Sequence, residues 1–190
     1  MNKAWPAIAL ASLCAWPAAA RADIDSVYVG LTDCAAKCSS ANKGDGPSLG
    51  FQASFDSPDY LSWAGAPQPY LIWSENLADG TSFGGVGLEW SRSWDDGWSI
   101  VGGVGYVIHD GELDNPYVSG TPEADAHSRR YVFFGSRDLF RLSLGVSRDL
   151  PGPWAAQVLV EHLSHGQILG SGRNQGLDQV SLRVQYEFGE

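Results

Sequence analysis

The stretch that decides the fold reads Phe140-Arg141-Leu142-Ser143-Leu144-Gly145-Val146-Ser147. Large apolar residues alternate there with polar or small ones. Side chains that alternate with a period of two lie on opposite faces of a β-strand. The same alternation runs through residues 82–94 and 98–108. The sequence therefore predicts strands with one apolar and one polar face.

Eight segments of the chain carry this pattern: residues 24–33, 47–56, 61–76, 81–94, 97–109, 135–149, 154–165 and 177–188. The third is the weakest, because Pro67 and Pro69 interrupt it. The connections 95–97 and 150–153 are tight, whereas 34–46, 109–130 and 165–174 are long and polar. Alternating short and long connections are typical of outer-membrane barrels, which have short periplasmic turns and longer outer loops.

Aromatic residues mark the short-turn end of these segments: Trp94, Trp98, Trp154 and Phe188. Such residues form a girdle at the membrane interface of outer-membrane barrels. We therefore expect an all-β fold, an eight-stranded antiparallel transmembrane β-barrel of the outer membrane. A soluble barrel of the lipocalin type is the alternative, and it would need an apolar interior.

The N-terminus predicts export. Lys3, an apolar stretch over residues 4–20 and the small-x-small pattern Ala20-Arg21-Ala22 are typical of a cleaved signal peptide spanning residues 1–22. Residues 23–190 then form a single barrel domain. In an exported protein, Cys34 and Cys38 favour a disulfide. The formal net charge of −10 argues against nucleic acid as a partner.

Three chemically complementary residues fall on the apolar faces of the last two segments. His162 and Ser164 share the apolar face of segment 154–165, and Asp178 lies on the apolar face of the final one. In a small membrane barrel that face meets lipid, so all three are expected on the outer wall at the rim away from the periplasm. A serine hydroxyl needs a base to become a nucleophile, and a carboxylate fixes the imidazole tautomer. The trio predicts acyl ester hydrolysis.

Other ionisable residues receive different interpretations. His165 points to the opposite face and ranks below His162 as the base, while His109 and His127 are interpreted as solvated loop histidines. Glu161 is expected inside the barrel, in a charge network with Gln157, Arg141 and Arg183. The acidic residues of the long loop are interpreted as solvated rather than as a divalent-cation site: Asp110, Glu112, Asp114 and Glu123.

The C-terminal part of the chain resembles a known family. Residues 134–137, 162–164, 174–178 and 186–188 resemble the PagL-type outer-membrane lipid A 3-O-deacylases of the acyloxyacyl hydrolase family, most clearly from residue 134 onward. The resemblance implies an eight-stranded barrel that hydrolyses the acyl ester at position 3 of lipid A in lipopolysaccharide, near the outer leaflet and without a cofactor. It makes His162 the base, Ser164 the nucleophile and Asp178 the orienting acid.

The sequence departs from that family at two positions. The family's acid is often Glu, where this chain has Asp178, and Asn often follows the serine, where this chain has His165. Backbone amides around Gly166 and Gln167 are then the candidates for stabilising the oxyanion. Two further classes of function remain open. One is a non-catalytic small barrel in adhesion or envelope structure, and the other is an outer-membrane phospholipase or acyltransferase.

Overall fold

The computed structural model describes residues 23–33, 46–94 and 96–188. Eight antiparallel strands close into a barrel in which sequence neighbours pair and the first strand pairs with the last. The strands are β1 Ile24–Asp33, β2 Ser48–Phe55, β3 Gln68–Asn76, β4 Phe83–Trp94, β5 Trp98–His109, β6 Asp138–Asp149, β7 Trp154–Ser164 and β8 Leu177–Glu187. The predicted fold class is confirmed. The expected signal segment and the Cys34–Cys38 disulfide lie outside the described residues.

Two segments differ from the sequence prediction. Residues Asp59–Ala64 form a 3₁₀-helix rather than the start of a strand, and β3 begins only at Gln68, after Pro67. The long connection between β5 and β6 contains a helix, α1, at Pro122–Arg130. Thr121 caps α1 by accepting a hydrogen bond from the Ala124 amide at 3.2 Å, and Pro122 occupies its first turn, where no amide donor is needed.

The two faces of the barrel have opposite chemistry. Large apolar side chains cover the outside, including Leu144, Val160 and Leu182, each about three-fifths exposed. Polar side chains fill the inside, where Arg141 is completely buried. A lipocalin-like barrel would have these faces reversed, so that alternative is wrong. No helix among the described residues is long and apolar enough to cross a membrane.

Two buried ion pairs organise the interior. Arg141 pairs with Glu161 and donates to the Tyr70 hydroxyl at 2.9 Å. Arg183 pairs with Glu89 at 3.2 Å and donates to the amide oxygens of Gln52 and Gln157, each at 2.7 Å. Since each charge has an opposite charge and further hydrogen-bond partners, the cost of burying it is largely offset. The interior charge network expected around Glu161 is confirmed.

An apolar cluster closes the loop end of the barrel, which is the end bearing the connections 77–82, 110–137 and 165–176. Its members are Phe83, Val107, Val132, Phe134, Leu139, Leu163 and Leu177. Segment 132–136 therefore packs into the loop end of the barrel. The interpretation of His109 as a solvated loop residue is wrong, because His109 is 3% exposed and its ring packs 4.3 Å from that of Phe134.

His127 is also not a solvated loop residue. It lies in α1, half-buried, with its ring centroid 4.5 Å from that of Tyr131 and 5.7 Å from that of Phe133. The reason is the same for both histidines: the connection between β5 and β6 folds back onto the barrel, so that it covers His109 at the end of β5 and packs around His127 in α1. The loop end of the barrel is therefore closed by packed side chains.

Candidate active site

His162 stands between the other two members of the trio. Its Nδ1 lies 2.6 Å from Oδ1 of Asp178, and its Nε2 lies 3.0 Å from Oγ of Ser164. Strand pairing produces this arrangement, because His162 is directly opposite Asp178 in the β7–β8 ladder and Ser164 is two residues further along β7. The structure thus brings all three sequence-predicted side chains within hydrogen-bond distance.

The geometry determines which ring nitrogen of His162 donates a hydrogen bond and which accepts one. A carboxylate only accepts hydrogen bonds, so Nδ1 of a neutral His162 carries the proton and donates it to Asp178. Nε2 then has a free lone pair that accepts the Ser164 hydroxyl proton. This is the arrangement in which a base draws a proton from a serine while an acid holds the imidazole in place.

The trio lies on the outside of the barrel at its loop end. The His162 side chain is 46% exposed and that of Asp178 is 34% exposed. Below them, towards the short turns, the same faces of β7 and β8 carry Val160 and Val180. The Ser164 hydroxyl is therefore accessible from the apolar outer wall and not from the barrel interior.

His165, the residue after the serine in sequence order, has a different environment. It is fully buried. Its Nδ1 accepts the Gln167 amide at 3.1 Å, and its Nε2 donates to the Arg173 carbonyl at 3.1 Å. Because both nitrogens form hydrogen bonds within the connection 165–176, His165 stabilises the shape of that connection. Its ring is buried, on the side of the chain away from the trio.

The His165 contacts also bear on the oxyanion candidates. The Gln167 amide already donates to His165, which leaves the Gly166 amide of the two candidates from the sequence. Gly166 adopts a positive φ of 60° and lies against the ring of Phe140, where an added Cβ would come within 3.4 Å. Gly166 directly follows the buried His165 and is two residues from Ser164 in the sequence.

Sequence reasoning missed two residues that position the acid. Gln175 accepts the Phe133 amide on its side-chain oxygen at 2.9 Å and donates its own amide to the Phe133 carbonyl at 3.3 Å. Gly176 has a φ of 64°, and a Cβ there would lie 3.0 Å from Cε1 of His162. The signal was the Asn174-Gln175-Gly176 turn directly before β8, which needs a glycine for its left-handed residue.

The acidic loop does not form a metal site among the described residues, where no group of three or more His, Cys, Asp or Glu side chains is arranged to hold an ion. Asp110 instead accepts the Ser82 amide at 2.8 Å, which ties the β5–β6 connection to the start of β4. Asp110 therefore has a structural contact at the loop end of the barrel.

Comparison with known proteins supports the fold. No protein-family model matches the chain, and no curated protein is similar to it in sequence. Among solved structures, it is similar to the outer-membrane enzyme PagL, with a TM-score of 0.59, 13% identity, and coverage of 86% of this chain and 99% of that one. It is also similar to the N-terminal β-barrel domain of Pseudomonas aeruginosa OprF, with a TM-score of 0.50, 8% identity and coverage of 87% and 98%. At these identities the likeness is one of fold: the chain is a closed eight-stranded barrel of the kind found in outer-membrane proteins.

Proposed function

We propose that this protein is a serine esterase of the outer membrane that removes the ester-linked acyl chain at position 3 of lipid A. The observation that carries the proposal is the His162 ring, which lies 2.6 Å from an Asp178 oxygen and 3.0 Å from the Ser164 hydroxyl on an apolar outer wall. The sequence resemblance to the lipid A 3-O-deacylases from residue 134 onward adds the choice of ester.

The position of the trio favours a membrane lipid as the substrate. Its strand faces continue into exposed apolar residues, including Leu142 beside His162 in the β6–β7 ladder. Ionisable groups on such a wall are costly and are found mostly where function requires them. An ester near the headgroups of the outer leaflet reaches Ser164 while its acyl chains stay in the hydrocarbon layer.

The reaction follows from the hydrogen bonds of His162. Nε2 takes the Ser164 proton while Oγ attacks the ester carbonyl carbon, and Asp178 stabilises the imidazolium that forms. The Gly166 amide is the donor we assign to the developing oxyanion. His162 then returns the proton to the sugar 3-oxygen as the carbon–oxygen bond breaks. In the second half, Nε2 of His162 takes a proton from a water whose oxygen attacks the acyl carbon, and returns it to Oγ of Ser164 as the acyl–serine bond breaks and the fatty acid leaves.

Mass spectrometry of lipid A tests the proposal. A Gram-negative host whose lipid A carries the 3-O-acyl group would express the wild type, Ser164→Ala or Ser143→Ala. Ser143 is the matched control, since its hydroxyl is inside the barrel and has no partner among the described residues. The wild type and Ser143→Ala should remove one hydroxyacyl group, and Ser164→Ala should leave lipid A intact.

Other results would point to other functions. Unchanged lipid A with altered phospholipid would indicate a phospholipase or acyltransferase that uses the same trio. Heat-modifiable gel mobility would show whether the barrel is folded in the membrane. If it is folded and neither lipid changes, the result would favour a non-catalytic barrel and refute the esterase.

A further inference from the structure

A second polar pair lies on the outer wall, apart from the trio. The Tyr106 hydroxyl on β5 donates to Oδ1 of Asp138 on β6. Tyr106 is 39% exposed and Asp138 is half-buried. A carboxylate on the apolar face of a membrane barrel is costly, so its position there points to a function.

The strand register places this pair beside the nucleophile. Tyr106 is directly opposite Phe140 in the β5–β6 ladder, and Phe140 is directly opposite Ser164 in the β6–β7 ladder. Two strand spacings separate Tyr106 from Ser164, which is about 10 Å across the sheet. The half-buried Phe140 ring forms the surface between them.

The pair retains hydrogen-bonding capacity towards the outside. A phenol oxygen that donates one hydrogen bond still accepts others, and a carboxylate has about four acceptor positions. Within the described part of the chain, Oδ2 of Asp138 receives no hydrogen bond, and the Asp138 amide is already bound to Oγ of Ser136 at 3.1 Å. The free positions are all acceptors, so they suit a ligand that carries hydroxyl or amide N–H donors.

We infer that Tyr106 and Asp138 form a subsite for the amino-sugar part of the substrate. The ring lies over Phe140, the ester reaches Ser164, and a hydroxyl or amide N–H of the acylated sugar donates to the Tyr106–Asp138 pair. The inference rests on the proposed function for the identity of the ester. It adds the residues that select an acylated amino sugar over other membrane esters.

Comparing two esters of one acyl chain tests the subsite. Purified protein in mixed micelles would hydrolyse a 2-N,3-O-diacylated glucosamine and a p-nitrophenyl ester of the same fatty acid. The ratio of the two kcat/KM values reports selectivity. Tyr106→Phe and Asp138→Asn should each lower that ratio about five- to tenfold, through a higher KM for the sugar ester, which is the usual cost of one such hydrogen bond.

Tyr186→Phe is the matched control. Tyr186 lies at the opposite end of the barrel, where its ring packs 4.8 Å from that of Trp154, and the ratio should not change. If Tyr106→Phe leaves the ratio at the wild-type value, the subsite is refuted. If both esters slow equally while the barrel loses stability, the pair is only a clamp between β5 and β6, which also overturns the inference.

A binding arm separates failure of the subsite from failure of the esterase. Radiolabelled diacylglucosamine would be bound to Ser164→Ala with and without Tyr106→Phe, and the second substitution should weaken binding about fivefold. Weakened binding would support the subsite even if the wild type cleaves no ester. Absence of cleavage would refute only the proposed function. Equal displacement of the label by phosphatidylethanolamine and by unlabelled diacylglucosamine would show an ammonium site and overturn the sugar assignment.

Discussion

Glu161 and His162 are consecutive residues of β7 with opposite environments. Glu161 faces inward, is 5% exposed and pairs with Arg141, whereas the side chain of His162 faces outward and is 46% exposed. Both belong to clusters of ionisable groups joined across strands. The inner cluster is closed, since each buried charge is matched by an opposite charge. The outer cluster is open, because the side chains of His162 and Asp178 are both partly exposed on the outer wall.

The difference shows how a barrel keeps the groups that stabilise it apart from the groups proposed to catalyse ester hydrolysis. Successive residues of a strand point to opposite faces, so one strand contributes to both clusters without contact between them. Under the proposed function, substitutions in the outer cluster should stop ester hydrolysis and leave folding unchanged. Damage to the inner one should weaken folding and leave hydrolysis by the folded fraction unchanged.

The largest effect is expected from His162→Gln. The amide keeps some hydrogen-bonding capacity but cannot take the Ser164 proton, so the rate of ester hydrolysis should fall about 10³- to 10⁴-fold. Hydrolysis by purified protein in micelles would measure it. The urea midpoint of unfolding should stay at the wild-type value, and a lowered midpoint would contradict the separation of the two clusters.

The next effect is on stability, from Arg141→Met. It leaves Glu161 buried without its cation, and such a loss costs about 3–5 kcal/mol of unfolding free energy. Urea titration followed by gel mobility would measure it. The double variant Arg141→Met with Glu161→Leu should recover most of the loss, because no unpaired charge remains. A double variant as unstable as the single one would show that the charge pairing is not the cause.

Asp178→Ala should reduce hydrolysis less than His162→Gln or Ser164→Ala, because in the proposed mechanism the acid orients the base and does not itself take the serine proton. The expected residual rate is at least tenfold above that of the other two variants. Asp33→Asn is the matched control: Asp33 lies opposite Val180 in the β1–β8 ladder, and its loss should leave the rate unchanged. A loss for Asp178→Ala that equals that of Ser164→Ala would contradict the orienting role.

Alternation made most of this arrangement predictable. It placed Glu161 inside and His162, Ser164 and Asp178 outside, because a period of two needs no knowledge of the tertiary structure. It would also have placed His109 inside, since His109 shares a face with Val101 and Val107. The polar sequence after His109 favours a loop interpretation instead. The burial of His109 depends on its contact with Phe134, which is 25 residues later in the chain.

The parts that escaped prediction depend on weak local signals or on distant contacts. Thr121-Pro122 is a sequence signal for a helix start, but α1 is polar almost all round and buries only Ala124, so it has no hydrophobic periodicity. The hydrogen bonds between Gln175 and Phe133 join segments that nothing in the local sequence relates. Those bonds hold the connection that leads to Asp178.

The smallest predicted effect is on that connection, from Gly176→Ala. Gly176 has a φ of 64°, and a Cβ would lie 3.0 Å from Cε1 of His162, so the methyl group must displace the ring by a few tenths of an ångström. Gly172→Ala is the control for backbone strain, since Gly172 has a φ of 95° with nothing within 4 Å of an added Cβ. Both variants should lose about 1 kcal/mol of stability, but only Gly176→Ala should lower kcat, by roughly tenfold. Equal kcat values for the two variants would mean that the position of the His162 ring does not depend on the turn before β8, and that the outer cluster is held by its strands alone.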